Sequence, residues 1–197
     1  MRILKADKYL RMPWRNGHGE TAQVAISPAA ATLDDFDWRV SMARIDDDGA
    51  FSIFPQTDRT LAVLRGEGLH LSVDGATPVV LTRSSEPRAF PGDVAAYATL
   101  IGGAVTDLNV MTRRGRFTHS MQALRIANRL ELNVNATLAL LVCVNSDVQV
   151  QVSTQTFSLN PLDSLLVDET PSEISILSNA TALAYLIEIG PETGVRS

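Results

Sequence analysis

Four arginines, two amides and a serine define the chemistry this chain could do: Arg15, Asn16, Arg39, Ser41, Arg59, Asn109 and Arg113. A guanidinium donates two parallel hydrogen bonds to a carboxylate, and an amide fixes orientation with one donor and one acceptor. Gathered around one cavity, with Trp14 as an apolar wall and His18 in the same loop, these side chains would take a small carboxylate. Buried guanidiniums without an anion are costly, so the reading requires either a bound anion or internal acids such as Asp58 or Asp107 as partners. The competing reading is that most of these arginines pair within the fold and clamp strands together. Arg39 and Arg113 weigh most here, because a place on the outer surface would remove them from any cavity.

Other chemistries find less support. The three histidines, His18, His70 and His119, lack the paired spacing of a metal site, and neither a metal nor another cofactor is expected. Ser41 and His18 could meet in space, but no nucleophile elbow is present and no catalytic residue is assigned. Cys143 is the only cysteine and lies in the apolar run Leu138 to Val144, which reads as a buried thiol and excludes a disulfide framework. A net charge of -5 and a pI of about 5.1 argue against nucleic acid as a partner. Lys5, Asp7 and Lys8 interrupt the amino-terminal stretch where a signal peptide needs an apolar core, and no apolar run is long enough to span a bilayer. The expected location is the cytoplasm, without a membrane partner.

The elements that would position these residues are strands. Phe36 to Ala43 alternates, with Trp38, Val40 and Met42 on one face and Arg39 and Ser41 on the other. Asp47 to Gly68 reads as strand, bend, strand and hairpin, closed by Gly66-Glu67-Gly68; Leu69, Leu71 and Val73 continue to a turn at Asp74-Gly75. Residues 76 to 90 read as irregular. Asp107, Asn109, Met111 and Arg113 share one face of a further strand, unusually polar for a sheet interior and equally suited to an edge strand with a wet face. The Met12 to Thr21 segment, with glycines on both sides of His18, is a loop that presents polar groups, or else a plain surface turn.

After residue 115 the composition changes: only four of the 17 basic residues follow it, against eight of the 22 acidic ones. Leu140, Val142 and Val144, then Val148, Val150 and Val152, repeat at one constant offset the spacing of Leu61, Val63, Arg65 and Leu69, Leu71, Val73. That hints at an internal duplication.

Met12-Pro13-Trp14-Arg15-Asn16-Gly17-His18-Gly19-Glu20-Thr21, Phe36 to Ala43, Asp47 to Gly68 and Asp107 to Arg114, in that order, resemble the HutD/Ves family of bicupins. The resemblance implies an all-β fold, a bicupin with two cupin-like antiparallel β-barrels in one chain. The first barrel would cover 1–115 and carry the motifs; the second, degenerate, would cover 116–197, with strands exchanged between them where needed. Against the cupin metal motifs, the ligand positions fall on Pro55, Thr57, about Ala62 and near Ala95, none of which binds metal. The family is associated with histidine utilisation, as a regulator or binder of a pathway metabolite, and a related branch with stress and cold response. The implied function is non-enzymatic binding of a small carboxylate such as urocanate or formylglutamate; the alternative is a metal-independent isomerase or lyase with His18 as base. A homodimer through sheet edges is also implied. His18 departs from the family, which tends to have Gly or Ala there.

Overall fold

The protein is described from a computed structural model covering residues 1–15, 17–168 and 172–192. Its strands are β1 (Arg2–Leu4), β2 (Leu10–Pro13), β3 (Gly19–Ser27), β4 (Trp38–Ile45), β5 (Gly49–Ala50), β6 (Thr57–Arg65), β7 (Leu69–Val73), β8 (Val79–Leu81), β9 (Arg88–Pro91), β10 (Ala96–Leu100) and β11 (Val105–Arg113). They continue as β12 (Phe117–Ile126), β13 (Arg129–Val134), β14 (Leu138–Cys143), β15 (Val148–Val152), β16 (Gln155–Leu159), β17 (Ser164–Val167), β18 (Ser172–Leu177) and β19 (Ala182–Pro191). Among the described residues the one helical element is a single 3-10 turn, Ala6–Lys8, so the fold is all-β. No described helix is long and apolar enough to cross a membrane.

Two compact units emerge, and the cut is not a single point in sequence. One comprises Leu10–Thr118 with Glu192; the other comprises Met1–Tyr9 and His119–Pro191. The N-terminal strand belongs to the second because β1 pairs antiparallel with β17, Arg2 opposite Leu166. Tyr9 closes that segment, its hydroxyl donating to the carbonyls of Leu4 and Leu162 and sharing a 2.9 Å bond with Ser164.

The strand order repeats. In the first unit β4-β11-β6-β9 runs through one sheet and β5-β10-β7-β8 forms the other; in the second the orders are β12-β19-β14-β17 and β13-β18-β15-β16. Each strand of the first series thus matches the strand eight later in the chain. The repeat of apolar spacing suspected in the sequence holds for β7 and β15, where Leu69, Leu71 and Val148, Val150 all enter their cores. It fails by one residue on β6 and β14: Leu61 and Val63 face the first core, but Leu141 and Cys143, rather than Leu140 and Val142, face the second. The cause is a bulge. On β6 Val63 pairs with Asp107 and Arg65 with Thr106, leaving Leu64 as an extra residue before the turn.

Residues 76 to 90, which read as irregular, contain β8 and all but the last residue of β9; both are short and preceded by a proline, so their pattern is too brief to register in sequence. Strands β4, β6 and β11 are buried on both faces. Leu108 and Val110 are fully inaccessible, and so is Asp107, which precedes Leu108 and lies on the opposite face. β11 is therefore a central strand, lying between β4 and β6, and not an edge.

Candidate functional site

The inward face of β4, β11 and β6 carries the polar residues, and the register of the three strands arranges them in rows. Met111 on β11 stands opposite Arg39 on β4 and opposite Arg59 on β6, so the two arginines flank it in one row. One step along, Asn109 lies between Ser41 and Leu61, and Gln23 of β3 extends the row beyond Ser41. A further step brings Asp107, between Ala43 and Val63. The period of two along a strand keeps every second residue on this face.

A chain of hydrogen bonds connects the rows. Arg59 Nε donates to Asn109 Oδ1 at 2.6 Å, Asn109 Nδ2 donates to Asp107 Oδ1 at 2.7 Å, and the Ala43 amide donates to the same oxygen at 3.2 Å. Asp107 Oδ2 is buried with no hydrogen-bond partner. The Arg59 guanidinium lies over the Phe51 ring at 4.4 Å and near Phe90 at 5.4 Å. Arg39 Nε donates to the neutral amide of Gln23 at 3.1 Å. No carboxylate pairs with Arg39 among the described residues, although it is only 5% exposed.

These environments act on the charges. Burial lowers the pKa of Arg39, and that of Arg59 falls to about 10 because burial outweighs the attraction of Asp107, with Arg39 adding repulsion. Burial pushes the Asp107 carboxyl up to about 6 despite Arg59, the Ala43 amide and Asn109, all of which favour its ionised form. Two guanidiniums and one reluctant carboxylate therefore share an interior that holds an excess of positive charge.

Arg39, Ser41, Arg59 and Asn109 of the expected set come together here. Arg113 does not join them. It sits at the end of β11, where its nitrogens donate to the carbonyls of Phe36, Pro55 and Asp34 and its guanidinium lies 5.3 Å from the Phe36 ring, the strand-clamping role. Asp58 does not pair with Arg59 either; it bonds Arg114, which also reaches Asp93.

The loop residues lie apart from the buried chain. Trp14 packs its ring against the first core and donates its indole N–H to Thr21 at 2.9 Å. Gly19 has no room for a side chain, since a Cβ there would run into the Arg44 carbonyl and the Trp14 ring. Arg15 is exposed, and His18, also exposed, meets Asp47 through Nδ1 at 2.6 Å. Asn16 lies outside the described residues. Gln23, Phe51, Phe90 and Met111 were not among the expected residues. Gln23 lies opposite Ser41 because of the strand pairing, a tertiary fact that local alternation does not carry.

The strand order places the chain among all-β proteins with cupin-like neighbours. A cupin 2 conserved barrel domain protein from Leptotrichia buccalis superposes with a TM-score of 0.60 over 94% of this chain and 99% of that one, at 7% identity, a likeness of fold alone. The chain belongs to the HutD family, whose sequence model matches residues 6–184. An uncharacterised 21.2 kDa protein of the hutC 3′ region of Pseudomonas putida is 34% identical over 78% of both chains. Protein Ves of Citrobacter koseri is 42% identical over 52% of this chain and 53% of its own length, so the match spans about half of that relative. Among solved structures, HutD from Pseudomonas fluorescens SBW25, determined in a formate condition, is 30% identical, with a TM-score of 0.81 over 97% of this chain and 98% of that one. PA5104 of Pseudomonas aeruginosa PAO1, a conserved protein of unknown function, is 31% identical, with a TM-score of 0.88 over 96% and 98%.

Many cupin folds hold a metal. The inward residues here do not suit one: the row is led by two guanidiniums, which only donate, and no described group of three or more His, Cys, Asp or Glu converges anywhere.

Proposed function

We propose that the first unit binds a small carboxylate at the Arg39–Arg59 row, and that the protein is a non-enzymatic metabolite binder of the HutD/Ves type with a regulatory role in histidine utilisation or stress response. The observation that carries this reading is Arg39, a buried cation whose described hydrogen-bond partner is a neutral amide. An uncompensated buried charge destabilises a fold by several kcal/mol, roughly 3 to 5 when a partner is missing, so an anion that pairs with it has a large return. Arg59 points the same way, since Asn109 takes only its Nε and leaves the fork of terminal nitrogens for a bidentate partner. The hutC-region name of the P. putida relative fits a role in histidine utilisation, for which a small carboxylate such as formylglutamate or urocanate is the ligand class this reading takes. In the same reading each unit is a cupin-like barrel, making the chain a bicupin; the repeated strand order supports it.

The test is a thermal-shift series with formate, urocanate and formylglutamate against chloride at equal ionic strength. A ligand at a hundred times its dissociation constant stabilises by about 2.7 kcal/mol. Each kcal/mol raises the midpoint by roughly 2 to 4 °C for a chain of this size. Arg39→Gln and Arg59→Met are each expected to remove the shift. A full carboxylate shift retained in both variants refutes the site.

One observation favours an enzyme instead. The 2.6 Å contact from Asp47 would orient the His18 ring, as a general base requires.

A further inference from the structure

Asp107 is the least comfortable group in the first unit. It is wholly inaccessible, one oxygen accepts two hydrogen bonds, and the other accepts none. A buried polar atom left without a partner calls for an explanation. What does reach Asp107 is the amide of Asn109, whose other end holds Arg59. The carboxylate and the guanidinium are thus joined through an amide, with no direct ion pair.

Resting on the carboxylate reading above, we propose that anion binding at the Arg39–Arg59 row is coupled to proton uptake by Asp107 through Asn109, so that the first unit is a proton-linked carboxylate sensor. Without ligand, Arg59 is the main charge that helps Asp107 stay ionised. A carboxylate seated on the guanidiniums brings a like charge to the same interior and satisfies the arginines itself. Both effects favour the neutral acid. The surroundings leave few other contributors. On the strands packed beside β11, the other charged groups facing inward among the described residues are Arg39 on β4 and Arg59 on β6; β3 presents Thr21 and Gln23. From the facing sheet come Leu69, Leu71, Ala96 and Ala98, none of which titrates.

The sign follows. Asp107 in the free protein titrates near 6, and the bound anion moves that value higher. Between the two values binding takes up close to one proton, and affinity rises as pH falls. It levels off below about 6, where Asp107 is already protonated in the free protein. Formate and other simple carboxylates stay ionised through this window, and arginine stays charged. The total gain is on the order of tenfold in affinity.

Sodium formate is the probe, titrated against equal sodium chloride by thermal shift from about pH 8 down to about pH 6. In the intact wild-type protein the formate-specific constant should tighten about tenfold across that range, and calorimetry in two buffers of different ionisation heat should show net proton uptake on binding. Asp107→Asn imitates the protonated acid. It should bind formate at the upper end of the range as tightly as the wild type does at the lower end, with no proton uptake. A formate constant that does not vary with pH and carries no proton uptake overturns the coupling while leaving the carboxylate site standing. Unchanged pH dependence in Asp107→Asn overturns the assignment to Asp107. The absence of any formate-specific shift at any pH removes the site itself. Should Asp107→Asn not fold, the wild-type proton count decides alone.

Discussion

Positions 59, 107 and 109 in one unit and 139, 184 and 186 in the other are matching places in one repeated strand order, yet they hold Arg, Asp and Asn in the first and Ala, Ala and Leu in the second. The match rests on pairing: Val63 and Leu61 stand opposite Asp107 and Asn109, as Cys143 and Leu141 stand opposite Ala184 and Leu186. The second unit has filled its interior with aliphatic side chains, including Leu141, Val150, Leu165 and Ile176, all fully buried. The first keeps aliphatic residues on β7 and β10 and at places on the opposite sheet such as Leu61 and Val63, and gives the neighbouring places there to Arg39, Arg59, Asn109 and Asp107. One layout therefore tolerates both an apolar filling, which maximises burial, and a polar one, which sacrifices stability to a site. The unit that retains the charges is the one to examine for ligand.

The reciprocal exchange at the matched amide position should have the largest effects. Leu186→Asn puts a polar amide where no partner waits and removes buried methyls, so it should cost about 3 to 5 kcal/mol. Asn109→Leu removes the bridge, strands Arg59 Nε and leaves Asp107 Oδ1 with the Ala43 amide alone, for a loss of about 2 to 4 kcal/mol. Denaturant midpoints measure both. A loss below about 1 kcal/mol for Leu186→Asn would mean that the second interior accepts polarity, and the contrast would break.

The most deeply buried acid of each unit, Asp107 in the first and Asp163 in the second, should give opposite pH signatures. Asp163 in the second unit is 4% exposed; burial pushes its pKa up, but Lys5 Nζ at 2.8 Å and the amides of Ala6 and Asn160 bring it below the ordinary value. Its stabilising contribution is present above the unfolded value of about 3.9 and is lost as pH falls through the depressed folded value. Asp107, raised to about 6, binds its proton more tightly when folded. Its contribution is complete below about 3.9 and disappears as pH rises through about 6, a swing on the order of 2 to 3 kcal/mol. Stability of Asp107→Asn and Asp163→Asn against pH, each subtracted from wild type, isolates the two. Curves of the same sign would show that the two interiors treat charge alike.

How far the sequence reveals this site depends on range. The face shared by Asp107, Asn109 and Met111, and that shared by Arg39 and Ser41, follow from alternation alone, because a strand's period is local. That the two faces meet is a matter of strand pairing, which no local pattern encodes. The motif order of the HutD/Ves resemblance brought Arg59 into the same set, whereas Gln23 and Phe90 lie outside the four motifs and Phe51, inside one, has no polar atom to mark it. Arg113 shows the opposite failure: it shares the inward parity of its strand but lies at the strand end, where three loop carbonyls collect it. The one-residue slip between β6 and β14 was invisible for a similar reason, since the bulge at Leu64 is defined by its partner strand. The assignment of Met1–Tyr9 to the second unit was hidden likewise, because Arg2 and Leu166 are far apart in sequence.

The smallest effect expected is at His18. Its pair with Asp47 is exposed on both sides, 55% and 62%, and such pairs contribute about 0 to 1 kcal/mol. His18→Gly should leave stability within that margin, and the carboxylate shift should persist, because the buried chain from Asp107 to Arg59 does not involve the loop. An enzyme using His18 as base behaves otherwise: the variant would still bind the carboxylate yet turn nothing over. If His18→Gly abolishes the shift itself, the loop that carries Trp14 must form part of the site, and the contrast between the units extends from their interiors to the segment only the first one carries.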